Sequence, residues 1–457
     1  MCDFPVAGAA THDPKAQRLM DIGTMTLLII GAMGLMLMLG VPLAFVSGSI
    51  AVVLAVTQFG WKALFIVGSR TVEFLDSFAL IAVPMFVIMA SIMEKSGVAG
   101  DLYRAFHVWA GGLRGGIGVV TTFVAVLLGA TTGIIGGEIV LLGLIALPQM
   151  LKLGYDKKLA IGTITAGGSL GTMIPPSIIL IFYGLTAEVS ISHLFLATLV
   201  PGLMLASFYI AYILIRCGFN PAMGPPLSAE ERNMPLTDKF RLFGGVALPM
   251  LVAGGVLVSI YAGFASITES AALGAFGAAI AAWVRGRFSF EMLRDVLIQA
   301  LRTCGMVFWL VFGTNALIGV YNLMGGIDFA RTTLGGVSSE PAVILAVMIG
   351  VFVLLGFFID WIGILFLTMP VFLPVLTQLG YDPIWFGIVF NLSMQIAYLT
   401  PPFGPACFYL KGAAPPDVTL QDIFAAQWPF IAIQIAALII VVLWPGLSLW
   451  LPQLVYG

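Results

Sequence analysis

The sequence predicts an all-α polytopic membrane protein built from two inverted repeats. Three observations carry that prediction. First, 60% of the 457 residues are hydrophobic and only 9% are charged, too few charges to cover a water-facing surface. Second, continuous apolar runs of about 20 residues recur from Met25 onward, each long enough to cross a hydrocarbon core of about 30 Å. The runs do not alternate, so a membrane barrel is not expected. Third, the stretch 148-PQMLKLGYDKKLA-160 aligns with 374-PVLTQLGYDPIWF-386 at an offset of 226. Extended without a gap, Pro175-Pro176 meets Pro401-Pro402 and Phe182-Tyr183 meets Phe408-Tyr409. That gives nine identities over 36 positions, where composition alone gives about three, and weak internal symmetry of this kind marks transporter repeats.

Each element follows in order. Residues 1–21 form a polar tail. Spans at 24–41 and 42–59 make an N-terminal scaffold over 22–77, and the first is expected to be an uncleaved helix because no small-residue cleavage pattern follows it. The first repeat, 78–217, holds a span at 78–95, a hairpin at 115–151, a broken helix at 157–185 and a span at 192–217. The amphipathic piece 98–116 reads as an interfacial arm. The polar linker 218–241 is the hinge between halves. Spans at 242–261 and 266–285, with a second arm at 286–297, complete the scaffold over 242–297. The second repeat, 298–457, holds a span at 298–323, a hairpin at 341–378, a broken helix at 383–411 and a closing span at 421–451.

The hairpins are expected to be re-entrant because of their centres, 129-GATTGIIGGE-138 and 355-LGFFIDWIG-363. Gly, Thr and acidic residues at membrane depth are tolerated only where protein or water satisfies them. Five spans separate the hairpins. Five is odd, so the two copies are oppositely oriented. Of the 20 Lys and Arg, 15 fall in 95–158, 216–241, 285–302 and at Lys411, which makes that side cytoplasmic and places both termini outside.

The breaks are where chemistry is expected. In 167-GGSLGTMIPPSIILIFYG-184, Pro175 and Pro176 lack N–H groups, so the carbonyls of Gly171 and Thr172 lose their helical partners. Gly167, Gly168 and Gly171 let the chain unwind. Free carbonyls and the hydroxyls of Ser169 and Thr172 suit Na+, a hard cation. The helix resuming after Pro176 turns its positive end toward an anion. The second break, 391-NLSMQIAYLTPPFG-404, supplies Asn391, Ser393, Gln395 and Thr400. The hairpin tips, with Thr131, Thr132 and Gly133 in one and Asp360 in the other, are expected to face these breaks. Asp360 reads equally as an ion or substrate group and as a hairpin-end residue. Glu138 reads as a lone carboxyl in an apolar arm, bonded at a helix terminus or functional.

Several classes have no support. No P-loop, HExxH or nucleophile–base pair occurs, so an enzyme is not expected. Net charge is −2, which does not suggest a nucleic-acid partner. The four cysteines and three histidines are scattered without metal-ligand spacing. Trp61, Trp109, Trp444, Trp450 and Tyr456 read as interface anchors.

GATTGIIG at 129–136, LPQMLKLGYD at 147–156, AGGSLGTMIPPS at 166–177 and LTPPFGPACFYLKG at 399–412 together carry a resemblance. The chain resembles the large membrane subunit (DctM type) of tripartite ATP-independent periplasmic (TRAP) transporters, over residues 22–452, and looks closest to the subgroup labelled mannitol or chloroaromatic. The resemblance implies an ion-transporter-superfamily fold in the bacterial or archaeal cytoplasmic (inner) membrane. Re-entrant hairpins and broken helices would move as an elevator against a scaffold. Na+ would drive uptake of an organic acid, with no organic cofactor. The implied partners are a DctP-type periplasmic binding protein and a DctQ-type four-helix subunit. That subunit is expected on a separate chain, because about 20 residues precede the first span.

The family's ion sites map onto Gly129, Thr131, Thr132, Gly133, Gly168, Gly171 and Thr172, with Gly356, Asp360, Asn391 and Thr400 in the second repeat. Substrate contacts are expected at Ser169, Pro175, Pro176, Gln395, Pro401 and Pro402. Many relatives carry a serine-rich hairpin tip where this chain has Gly133-Ile134-Ile135, so side-chain ligation at 134 and 135 is not expected. The competing readings are a stand-alone ion-coupled carboxylate carrier or antiporter, and a channel. Dependence on a binding protein tells the tripartite system from a stand-alone carrier.

Overall fold

The computed structural model describes residues 21–457 apart from 111, 133–135, 228–233, 337 and 403. The polar tail therefore lies outside the described residues, except for Asp21, whose carboxylate caps the first helix by accepting from Gly23 N at 3.0 Å. Every regular element among the described residues is helical. The N-terminal part comprises α1 (Ile22–Met38), α2 (Leu43–Phe59), α3 (Leu64–Leu75), α4 (Ala82–Lys95) and α5 (Val98–His107). A hairpin follows, α6 (Gly116–Thr132) and α7 (Gly137–Lys152). Next come α8 (Lys157–Ser169), α9 (Ile178–Ala187) and α10 (Ile191–Phe219).

The second half opens with α11 (Leu236–Tyr261), α12 (Ile267–Val284), α13 (Phe290–Leu323) and α14 (Gly326–Gly335). Its hairpin is α15 (Pro341–Leu355) and α16 (Trp361–Gln378), followed by α17 (Pro383–Leu399), α18 (Pro405–Ala413), α19 (Leu420–Leu443) and α20 (Gly446–Tyr456). Among the described residues, seven helical stretches are long and apolar enough to cross a membrane, one of them the turn-and-helix unit Phe78–Lys95. Leu251, Val258, Phe276 and Trp283 stand exposed on α11 and α12, as a lipid-facing layer requires.

The repeated LGYD motif has a local physical meaning. It stops one helix and starts the next. Gly154 (φ 81) and Gly380 (φ 79) take the left-handed conformation that ends α7 and α16, which glycine adopts without a Cβ penalty. Tyr155 N then bonds Met150 O at 3.0 Å, and Tyr381 N bonds Leu376 O at 3.2 Å. Asp156 and Asp382 cap the next helices. Asp156 accepts from Leu159 N at 2.9 Å, and Asp382 from Ile384 N at 2.7 Å. Each carboxylate satisfies an otherwise orphaned N-terminal donor.

Three expectations need correction. The stretch 286–297 is not a separate arm from the long span. Ser289 caps by accepting from Met292 N at 3.0 Å, and α13 then runs 34 residues without a break. The short helix that matches α5 in the element order is α14. Both start at a left-handed glycine, Gly97 and Gly325, and both carry an i,i+3 ion pair, Asp101–Arg104 and Asp328–Arg331. The closing span 421–451 is two helices, divided at Trp444 and Pro445. Helix α3 lies in a stretch that the hydropathy pattern left unassigned.

Two helices form the centre. Residues 159–184 and 385–399 are buried without exception. Helix α8 is surrounded by α6, α7 and α19, while α17 meets α9, α15 and α19. Inside lipid there is little hydrophobic drive between helices, so close packing and interhelical hydrogen bonds must hold them. The small residues of α8 permit that packing, and its buried polar groups reach neighbours: Thr165 Oγ1 donates to Gln427 Oε1 of α19 at 2.7 Å.

Candidate functional site

Thr172 closes the first helix break and sits where the two halves touch. Pro176 offers no N–H to the Thr172 carbonyl. Asn391 Nδ2, from α17, donates to that carbonyl at 2.9 Å instead. Gln395 Nε2, one turn further along α17, donates to Thr172 Oγ1. The threonine hydroxyl in turn donates to Ser169 O at 3.2 Å. These bonds fix the amide orientations, because a carbonyl and a committed hydroxyl both demand a donor. The remaining ends of the two amides, Asn391 Oδ1 and Gln395 Oε1, are buried and accept no hydrogen bond from the described residues. Leaving such an oxygen unpaired costs about 1–3 kcal/mol. Both are carbonyl-type oxygens, the kind of acceptor a hard cation takes.

The hairpins lean against these breaks by backbone-level contacts. A Cβ on Gly129 of α6 would overlap the Cα of Gly171 at the first break. A Cβ on Gly356, at the end of α15, would overlap the methyl of Ala397 in α17. Ala397 is the position related to Gly171 by the 226-residue offset. The two repeats therefore share one small-residue crossing. Gly168 serves the other hairpin arm, since a Cβ there would strike Ile139 of α7. The buried Glu138 begins α7, with its Oε1 against Gly171.

A cavity of about 520 Å³ opens beside Thr172. One wall comes from α2, α4 and α13, with Ala44, Val83, Thr303 and Cys304. The other comes from the breaks and the second hairpin tip: Thr172, Ile178, Asp360, Trp361, Tyr398 and Tyr409. Residues that open three helices lie in this lining, Ile178 of α9, Trp361 of α16 and Pro405 of α18. Each helix start carries the positive end of a backbone dipole. Asp360, half-buried at the N-terminus of α16, is the only charged side chain among the described lining residues.

The anticipated residues separate into groups. Thr172, Asn391 and Gln395 come together, and Asp360 lines the same cavity as Thr172. Gly129, Gly168, Gly171 and Gly356 provide close approach. Ser169 donates to Ala166 O at 2.8 Å and does not line the cavity. Thr400 Oγ1 donates to Ile396 O at 2.6 Å, also away from the lining. Pro175–Pro176 and Pro401–Pro402 are cis bonds that shape the breaks. Pro402 faces a separate apolar groove beside α1. Thr131 and Thr132 end α6, but their side chains, like Gly133, lie outside the described residues. Tyr398, Trp361 and the α13 residues were not anticipated. The 226-residue offset pairs Tyr398 with Thr172, which was the one available signal. Nothing in α13 marked Thr303 or Cys304.

Comparison with known proteins agrees with this architecture. Residues 29–447 match the family described as the DctM component of tripartite ATP-independent periplasmic transporters. The C4-dicarboxylate TRAP transporter large permease protein DctM of Pseudomonas aeruginosa is 30% identical over 386 residues, 83% of this chain and 87% of that protein. The isethionate TRAP transporter permease protein DctMQ of Oleidesulfovibrio alaskensis is 26% identical over 92% of this chain, which spans 65% of that relative's length. Among solved structures, the Alcanivorax borkumensis YdaH transporter superposes with a TM-score of 0.66 at 14% identity, covering 93% of this chain and 99% of that one. That likeness concerns the fold.

Proposed function

The chain belongs to the DctM component family of tripartite ATP-independent periplasmic transporters, and from that premise we propose that it is the large permease subunit of a Na+-coupled importer of an organic acid. It is a multi-pass protein of the inner membrane and not an enzyme. A periplasmic binding protein delivers the acid, and a small membrane subunit on a separate chain braces the scaffold.

One observation carries the reading. The Asn391 and Gln395 amides bond Thr172, which lines a cavity opened by three helix starts, and their own oxygens are buried without partners among the described residues. Asn391 Oδ1, Gln395 Oε1 and Thr172 Oγ1 hold Na+, whose charge offsets the cost of keeping those oxygens dry. With no Lys or Arg among the described lining residues, the substrate carboxylate is held by helix dipoles and by the bound cation. Ion and acid then stabilise one another, which couples their movement. The two repeats are inverted, the hairpins re-enter, and the inner helices carry the cavity past α2, α4 and α13 as an elevator.

The test is uptake into proteoliposomes containing this chain, the small subunit and the binding protein loaded with its acid. Uptake is expected to need both an inward Na+ gradient and the binding protein. Full-rate uptake without the binding protein overturns the tripartite reading in favour of a stand-alone carrier. Equal uptake with Na+ replaced by choline overturns Na+ coupling.

A further inference from the structure

A second pocket, about 480 Å³, lies away from the central cavity, between α5, the end of α7 and the start of α11. Among the described lining residues the cations are Arg104 of α5 and Lys152 of α7, with His107 of α5 beside them, and none is Asp or Glu. Arg104 also pairs with Asp101, a carboxylate shared between two guanidinium groups, Arg104 and Arg285. Among the described residues the site keeps a positive excess. Gln149 and Tyr103 also line it, and Val108, Leu153, Met234 and Leu242 form an apolar wall.

An aromatic cluster adjoins it. Trp109 meets Phe240 at 5.3 Å and Phe243 at 5.9 Å between ring centroids, and Phe106 meets Phe243 at 5.0 Å. Of these rings, the amphipathic indole of Trp109 is the kind that sits at the membrane–water boundary. The positive-charge count places this end of the helices on the cytoplasmic side, where basic pockets meet anionic headgroups.

We propose that the pocket between α5, α7 and α11 binds the phosphate headgroup of an anionic phospholipid, with its acyl chains along the Val108–Leu242 wall. Arg104 and Lys152 hold the phosphate. The two cations stand on different elements, so a bound headgroup ties the second arm of the first hairpin to the outer helices α5 and α11. A free phosphate offers the same charge but cannot use the apolar wall. This inference does not depend on which acid or ion the permease carries.

The test is native mass spectrometry of the purified chain in neutral detergent, titrated with phosphatidylglycerol, phosphatidylcholine or inorganic phosphate. The wild-type chain is expected to retain phosphatidylglycerol in preference to the other two. Lys152→Gln should weaken that affinity about fivefold, and Arg104→Gln with Lys152→Gln about 25-fold, at about fivefold for each basic side chain. Arg294→Gln, an exposed cation elsewhere, should leave it unchanged. The single Lys152 variant preserves the test if the double variant does not fold. Equal retention of phosphatidylcholine, equal binding of inorganic phosphate, an unaltered affinity in Lys152→Gln, or an equal loss in Arg294→Gln each overturns the proposal.

Discussion

Replacing Thr172 by valine keeps the shape of a fully buried side chain and removes one oxygen. That oxygen accepts from Gln395 Nε2 and donates to Ser169 O. Losing an interhelical bond of this type in a membrane protein costs about 0.6 kcal/mol and at most about 1.7, so the variant is expected to fold. The effect on Na+ is larger. A bond to a charged partner is worth about 1.5–3 kcal/mol, so loss of one ligand weakens Na+ binding about 10- to 150-fold. Take a Na+ concentration of 100 times the wild-type Kd. Binding then stabilises the wild type by about 2.7 kcal/mol, and the same concentration stabilises a variant about 30-fold weaker by only about 0.9. The assay is thermal unfolding in detergent with Na+ or choline, alongside the Na+ dependence of uptake. Thr400→Val is the matched comparison. Its hydroxyl donates to Ile396 O at the other break, whereas the Asn391 and Gln395 amides bond Thr172, so its Na+ response should stay near wild type. A full Na+ shift in Thr172→Val refutes the assignment. An equal loss in Thr400→Val refutes the distinction between the two breaks.

Two further outcomes follow from packing and position. Gly129→Ala should lower thermal stability by about 1–3 kcal/mol, the usual range for overpacking, because its new methyl strikes the Gly171 backbone; Gly254→Ala, with open space around it, should not, and equal melting temperatures would contradict the crossing. Tyr183 and Tyr409 are repeat partners with different surroundings. Tyr183→Phe removes a 2.6 Å bond to Pro383 O and should cost about 1 kcal/mol of stability with transport intact. Tyr409→Phe alters the cavity wall and should alter uptake with stability intact. Exchanged phenotypes in those assays would show that the repeats are used the other way round.

Much of the fold was legible because membrane depth restricts what a chain can do. A run of about 20 apolar residues must be a helix there. The breaks were legible because two adjacent prolines remove two donors wherever they occur. LGYD was legible as a repeat, and the structure supplies its reason in a glycine stop and an aspartate cap. The misassigned arm shows the limit. Stretch 286–297 carries charge on one side, as an arm would, yet the helix that begins within it at Phe290 runs on unbroken to Leu323, while the matching helix at Gly326–Gly335 has no equally clear pattern. Amphipathicity reports which faces meet water. It does not report where a helix bends away from its neighbour.

The sequence by itself determined the helices, the two breaks and the residue types gathered at them, since these depend on local backbone chemistry. Only the tertiary structure decided which groups have partners. The Thr172 carbonyl, freed by Pro176, is taken by Asn391 from 219 positions away. The unpaired oxygens belong to Asn391 and Gln395 instead. Ser169, Thr400 and Thr172 all donate to carbonyls of their own segments, and what sets Thr172 apart is the pair of amides reaching it from the other repeat. Hydrogen-bond satisfaction is a property of distances between segments, and no local pattern encodes those.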